Sequence, residues 1–70
     1  MTEIEFSTEF IKLQQFMKIA NIVSSGSDAK LLILDGLVKV NGEVCLQRGR
    51  KIYNDYIIEF EGERYKAIKI

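Results

Sequence analysis

The chain contains no histidine, no proline, no tryptophan and a single cysteine in its 70 residues. Each absence closes off a chemistry. Without histidine there is no imidazole acid or base, no Ser-His-Asp arrangement and no histidine-ligated zinc. Cys45, being alone, forms neither an intrachain disulfide nor a cysteine-ligated metal cluster, which fits a reducing cytosol. It also lacks the usual activating base, so it reads as a small hydrophobe and not as a nucleophile. The five glycines are scattered at positions 26, 36, 42, 49 and 62, and none builds a phosphate-cradling loop of nucleotide-binding spacing. Long apolar runs are missing too. The longest, Leu31-Leu32-Ile33-Leu34, is far too short to span a bilayer. Glu3, Glu5 and Glu9 stand where a secretory leader would be basic and then apolar.

These exclusions predict one domain over residues 1–70 that is cytoplasmic and not an enzyme, with no cofactor, no metal, no membrane partner and no small-molecule substrate. Seventy residues leave little material for a deep, water-excluding pocket, because a chain this short buries only about 60% of its unfolded surface. Glu59, Glu61 and Glu63 alternate along a hairpin and solvate it; a sugar cleft around a carboxylate pair would need more chain than this.

What is present is a charge asymmetry. The net charge is zero, yet residues 10–51 carry seven bases (Lys12, Lys18, Lys30, Lys39, Arg48, Arg50, Lys51) against three acids (Asp28, Asp35, Glu43). Glu3, Glu5, Glu9, Asp55, Glu59, Glu61 and Glu63 compensate from the flanks. Such a division suggests one basic face on an otherwise acidic body.

Apolar periodicity orders the elements. Ile4 and Phe6 alternate with acids and Ser7, predicting a short strand over 3–7. Leu13, Phe16, Met17 and Ala20 then fall on one face of a helix over 12–20, ended by Asn21. Ser25 is the N-cap of a second helix over 26–35, with Asp28 as a weak capping-box acid, Ala29, Leu32 and Ile33 facing inward, and Gly36 ending it. Val38-Lys39-Val40, Asn41-Gly42 and Glu43 to Leu46 form a hairpin signal. Gln47 to Lys51 reads as a basic loop, and 57–60 and 64–70 as further strands. The fold class is α+β, a two-helix αα-hairpin packed on a small antiparallel sheet of about four to five strands.

Lys12-Leu13, Ser25-Gly26-Ser27-Asp28-Ala29-Lys30 and Asp35-Gly36-Leu37-Val38-Lys39-Val40-Asn41-Gly42 together resemble a known family. It is the RNA-binding domain named after ribosomal small-subunit protein four, the αL motif, and the likeness runs over roughly residues 11–60. Arg48-Gly49-Arg50-Lys51 and the acidic first strand resemble its small stand-alone bacterial subgroup, the YbcJ/YaaA-like proteins. The resemblance implies the αL-motif fold and non-catalytic binding of structured RNA, ribosomal RNA or a ribosomal subunit being the expected partner.

The residues can be read physically in the same sense. Ser25 and Gly26 open a helix whose N-terminus offers free N–H groups, and Gly26 would let a phosphate backbone approach closely. Lys12 and Lys30 could flank one phosphate track, while Lys39 points away from Val38 and Val40 and so out of the core. Arg48, Arg50 and Lys51 add three charges in four residues, and arginine forks suit phosphates. Asn41 is a turn residue first and an RNA contact second. No aromatic ladder for single-strand stacking is evident, so recognition by shape is the expectation. The alternative is a protein-interaction module that keeps the fold. Zero net charge, Asp28, and Gly26 where the family often has arginine favour it.

Overall fold

The computed structural model describes residues 1–70. Its elements run β1 (Thr2–Phe6), β2 (Ile11–Lys12), α1 (Leu13–Ile19), α2 (Gly26–Leu34), β3 (Val38–Val40), β4 (Glu43–Val44), β5 (Lys51–Ile52), β6 (Ile57–Phe60) and β7 (Glu63–Lys69). Five strands form one sheet in the order β1-β7-β6-β3-β4, and β2 and β5 make a separate two-stranded ribbon. The expected α+β arrangement of a helix pair on a small sheet is therefore present.

Local chemistry explains both helix ends. Asn21 and Gly36 adopt left-handed φ values of 62° and 75° directly after the C-caps Ala20 and Asp35. In α2 the Gly36 N–H then donates to Ile33 O at 3.0 Å and Leu37 N–H to Leu32 O at 3.2 Å. In α1 the Asn21 N–H reaches Lys18 O and the Ile22 N–H reaches Met17 O. Both are Schellman endings, which satisfy carbonyls that a helix otherwise leaves open. At the start of α2 the Ser25 Oγ accepts from the Asp28 N–H at 3.2 Å, as its N-cap position requires.

Asn41 and Gly42 take φ values of 52° and 87°, joining antiparallel β3 and β4 through the tight turn expected of an Asn-Gly pair. The Asn41 side chain has a second task. Its Oδ1 accepts from the Ile57 N–H at 2.9 Å, pinning the hairpin turn to the start of β6.

One core holds the layers together. Leu13, Phe16 and Met17 from α1 and Ala29 and Ile33 from α2 bury completely with Val38, Ile52, Ile58 and Ala67. Leu32 and Ala20, assigned to the inward faces by periodicity, are only half-buried at the margin. Cys45 is buried, its thiol directed at Gln47 O, in keeping with its reading as a hydrophobe.

Three details differ from the sequence reading. The sheet is mixed, because β1 pairs with β7 in parallel while its other pairs are antiparallel. Apolar alternation specifies a strand and its buried face but carries no direction. The whole domain separates β1 from β7, and so long a connection permits a parallel pair. The segment after Asn41-Gly42 is also shorter as a strand, ending at Val44. Finally, Lys51, expected to end a loop, begins β5, which pairs Ile52 with Ile11 and Lys51 with Lys12.

Gly36 offers a direct check on the helix ending. A Cβ there would meet only Val44 Cγ1 at 3.8 Å, so the cost of Gly36→Ala is conformational. We expect urea unfolding to show a loss of about 1–2 kcal/mol for Gly36→Ala. Gly49→Ala, where a Cβ meets nothing within 4 Å and φ is not left-handed, should stay within about 0.5 kcal/mol of the parent.

Candidate nucleic-acid interface

Helix α1 begins without a side-chain cap from a Ser, Thr, Asp or Asn residue. Its first N–H groups are satisfied from elsewhere in the chain. Leu13 N–H donates to Arg50 O at 2.8 Å and Gln14 N–H to Arg48 O at 3.1 Å. The Gln15 side chain adds a longer bond, Oε1 accepting from the Lys12 N–H at 3.4 Å. The segment 48–50 is thus docked on the start of α1 through its own carbonyls, which leaves its side chains free. A helix start needs such acceptors, and here the basic loop supplies them.

This docking brings Arg48, Arg50 and Lys51 to Lys12. Lys12 and Lys51 are register partners in the β2–β5 ribbon, with Ile11 and Ile52 buried beneath. On the other side of the loop, Arg48 and Gly49 share a groove of about 330 Å³ with Lys30, Leu34, Leu46 and Gln47. Lys12, Arg50 and Lys51 thus adjoin at the ribbon, and Arg48 and Lys30 line the groove beside it. The molecule contains a single ion pair, Lys66 Nζ to Asp55 Oδ1 at 3.6 Å, so none of these five cations is held in one.

Ser25 and Gly26 border this region, a Cβ at Gly26 lying 3.9 Å from Gln14 Oε1 on α1. That is ordinary contact, so space alone does not demand glycine here. The adjoining turn is largely self-satisfied: besides the Ser25 cap, the Ser24 hydroxyl donates to the Asp28 carboxylate at 3.2 Å. Asp28 thereby places negative charge at the start of α2.

Lys39 is not brought to the cluster. It leaves β3 on the face opposite Val38 and Val40, between Glu59 on β6 and Val44 on β4. Lys12, Lys30, Lys39, Arg48, Arg50 and Lys51 are expected to lie largely on one face; Lys39 departs from it, because strand alternation sends it to the outer face of the sheet. Asn41 lies on the hairpin turn, its side-chain oxygen already engaged with Ile57.

The sequence reading missed an aromatic group beside the bases. Phe10 and Tyr53 stack in a tilted arrangement with centroids 5.8 Å apart, and Tyr53 and Tyr56 repeat that spacing. The Lys51 ammonium sits 4.8 Å from the Phe10 ring centre and the Arg50 guanidinium 5.9 Å from that of Tyr56. A period-two signal was available: Phe10 and Lys12 flank Ile11, and Lys51 and Tyr53 flank Ile52, so each pair shares one side of its strand.

Two short helices on a small sheet, with an uncompensated basic edge beside the start of α1, define a compact α+β domain of the αL type. The model of the S4 domain family matches residues 4–68, and the chain belongs to that family. It is 42% identical over 59 residues to the probable ribosome maturation protein RlbA of Bacillus subtilis (strain 168), covering 84% of this chain and 83% of that protein. The solution structure of YbcJ from E. coli, described as revealing an αL motif involved in RNA binding, is similar at a TM-score of 0.74. The two are 26% identical, over 97% of this chain and 87% of that one.

The Lys12–Lys51 pair has a measurable consequence. Like charges directly opposite on paired strands are destabilising, so the free protein carries a strain that an anion would relieve. Lys12→Glu converts the pair to opposite charges and places an acid at the start of α1. Without RNA it should raise stability by about 0.2–1 kcal/mol, read as an upward shift of the urea midpoint with unchanged slope.

Proposed function

We propose that this chain is a non-catalytic binder of structured RNA, with ribosomal RNA or a ribosomal subunit as its partner in the cytoplasm. The observation that carries this reading is the docking of residues 48–50 on the start of α1. It gathers Lys12, Lys30, Arg48, Arg50 and Lys51 without a carboxylate partner. Five cations side by side fit a phosphate backbone, which repays their mutual repulsion by releasing condensed counterions. Ser25 and Gly26 border the contact, whereas Lys39 and Asn41 lie outside its centre. The name of the Bacillus subtilis relative and the RNA-binding motif described for YbcJ support the same partner class. Membranes and small-molecule substrates have no place in this reading.

A second reading is supported by the apolar side chains left on the surface. Leu31, Leu34, Leu37 and Leu46 are all more than half exposed, and they suit a protein-interaction module. Salt separates the two, because only phosphate contact gives binding a strong negative dependence on salt concentration.

The test is a filter-binding titration with ribosomal RNA at two or more salt concentrations, together with co-sedimentation with ribosomal subunits. Alanine at Arg48, Arg50 and Lys51 together should weaken binding and flatten the salt slope by roughly one unit for each phosphate that is no longer neutralised. The fold should survive, since α1 is capped by backbone carbonyls of the loop and not by its side chains. Lys12→Glu should likewise weaken RNA binding while stabilising the free protein. Unchanged affinity and slope in the triple variant would overturn this interface, and a parent protein that binds ribosomal RNA weakly and without salt dependence would leave the protein-interaction reading.

A further inference from the structure

Phe10, Tyr53 and Tyr56 form a chain of three rings at the end of the β2–β5 ribbon. Each of the two flanking rings carries a cation, Lys51 over Phe10 and Arg50 over Tyr56. The middle ring, Tyr53, is the exposed member at 37% of its surface. Tyr56 is partly buried against the core, whereas Phe10 and Tyr53 take no part in it. Ile11 and Ile52 are the residues of the ribbon that bury, while Phe10 and Tyr53 stand on its outer side in register with Lys12 and Lys51.

The platform is held stiffly from behind. Tyr56 N–H donates to Tyr53 O at 3.2 Å, closing the loop that carries both tyrosines. Asp55 N–H donates to Ala67 O at 2.8 Å and Ala67 N–H to Tyr56 O at 2.9 Å, stitching that loop to β7. Asn54 Oδ1 accepts from Lys69 N–H at 2.8 Å. A ring fixed in this way loses little freedom on binding a flat partner, which favours affinity.

We propose that Tyr53 is a stacking site for one unpaired nucleobase of the bound RNA, whose adjoining phosphates lie on Lys12, Arg50 and Lys51. This rests on the RNA-binding reading above and names the RNA element it selects, a bulged or looped-out nucleotide beside a helical segment. Charge complementarity chooses this occupant over an apolar segment of a protein. An aromatic face set between an uncompensated lysine pair and an arginine matches a base attached to its phosphates, and aromatic rings hold bases without regard to their identity.

The chain has three tyrosines and no tryptophan, so two of its three intrinsic fluorophores lie in this platform. Two RNA probes suffice: a fully paired hairpin, and the same hairpin with one unpaired adenosine in its stem. The protein should bind the bulged hairpin about tenfold tighter and lose more tyrosine emission with it than with the paired one. Tyr53→Leu should abolish that preference while leaving affinity for the paired hairpin and its salt slope unchanged; Tyr53→Phe should keep the preference. Equal affinity of the parent for both hairpins overturns the stacking site but leaves the phosphate-binding reading standing, provided the salt slope is steep. A bulge preference retained in Tyr53→Leu overturns it as well. Failure to bind either hairpin, with the exposed leucines then capturing a protein instead, sinks both readings. Should Tyr53→Leu fail to fold by circular dichroism, Tyr53→Phe decides: the extra tyrosine emission lost on the bulged hairpin should shrink with the Tyr53 phenol gone, and quenching unchanged from the parent overturns the site.

Discussion

The start of helix α1 is the point on which the surface chemistry of this domain turns. Leu13 and Gln14 have N–H groups with no partner inside their own helix, and the chain answers them with the carbonyls of Arg50 and Arg48. A buried or half-buried N–H left unanswered costs about 1–3 kcal/mol, which is large beside the stability of so small a domain. The helix therefore forms against the basic loop. Because the backbone makes these bonds, the guanidinium and ammonium groups remain outside, unpaired, and displayed next to Lys12.

The same loop couples the core to the surface. Leu13 and Ile52 are both fully buried, and each lies next in sequence to a lysine of the Lys12–Lys51 pair. Burial of these two residues thus places two ammonium groups opposite each other, against their electrostatic preference. The cost is small, of order 0.2–1 kcal/mol, and hydrophobic burial outweighs it, since a fully buried Leu or Ile gains about 1.5–3 kcal/mol. The result is a surface that is less stable alone than with an anion on it. The aromatic group extends that surface, its two outer rings meeting Lys51 and Arg50 and its central ring partly exposed between them.

Polar side chains at the turns fasten the sheet in a way that complements this. Asn41 accepts from Ile57 N–H and Asn54 from Lys69 N–H, so each turn asparagine caps the end of a strand distant in sequence. Ser25 and Ser24 perform the equivalent task at the start of α2. No buried side-chain nitrogen or oxygen is left without a partner. The polar side chains at the turns are thus engaged within the framework, while Lys12, Lys30, Arg48, Arg50 and Lys51 remain outside any ion pair.

The sequence by itself determined the local features: which residues form helices, where Asn21 and Gly36 end them, the Asn41-Gly42 hairpin and the alternation that sends Lys39 away from the core. These follow from φ preferences and side-chain periodicity, which act within a few residues. It also carried the family's residues in recognisable order. Only the tertiary structure decided that β1 runs parallel to β7, that the basic loop ends in strand β5 paired with β2, that Lys39 stands apart from the other five bases, and that Phe10, Tyr53 and Tyr56 meet. Each of those depends on pairing between segments tens of residues apart, and a pattern of apolar and polar residues encodes which face is buried without encoding which strand will lie beside it.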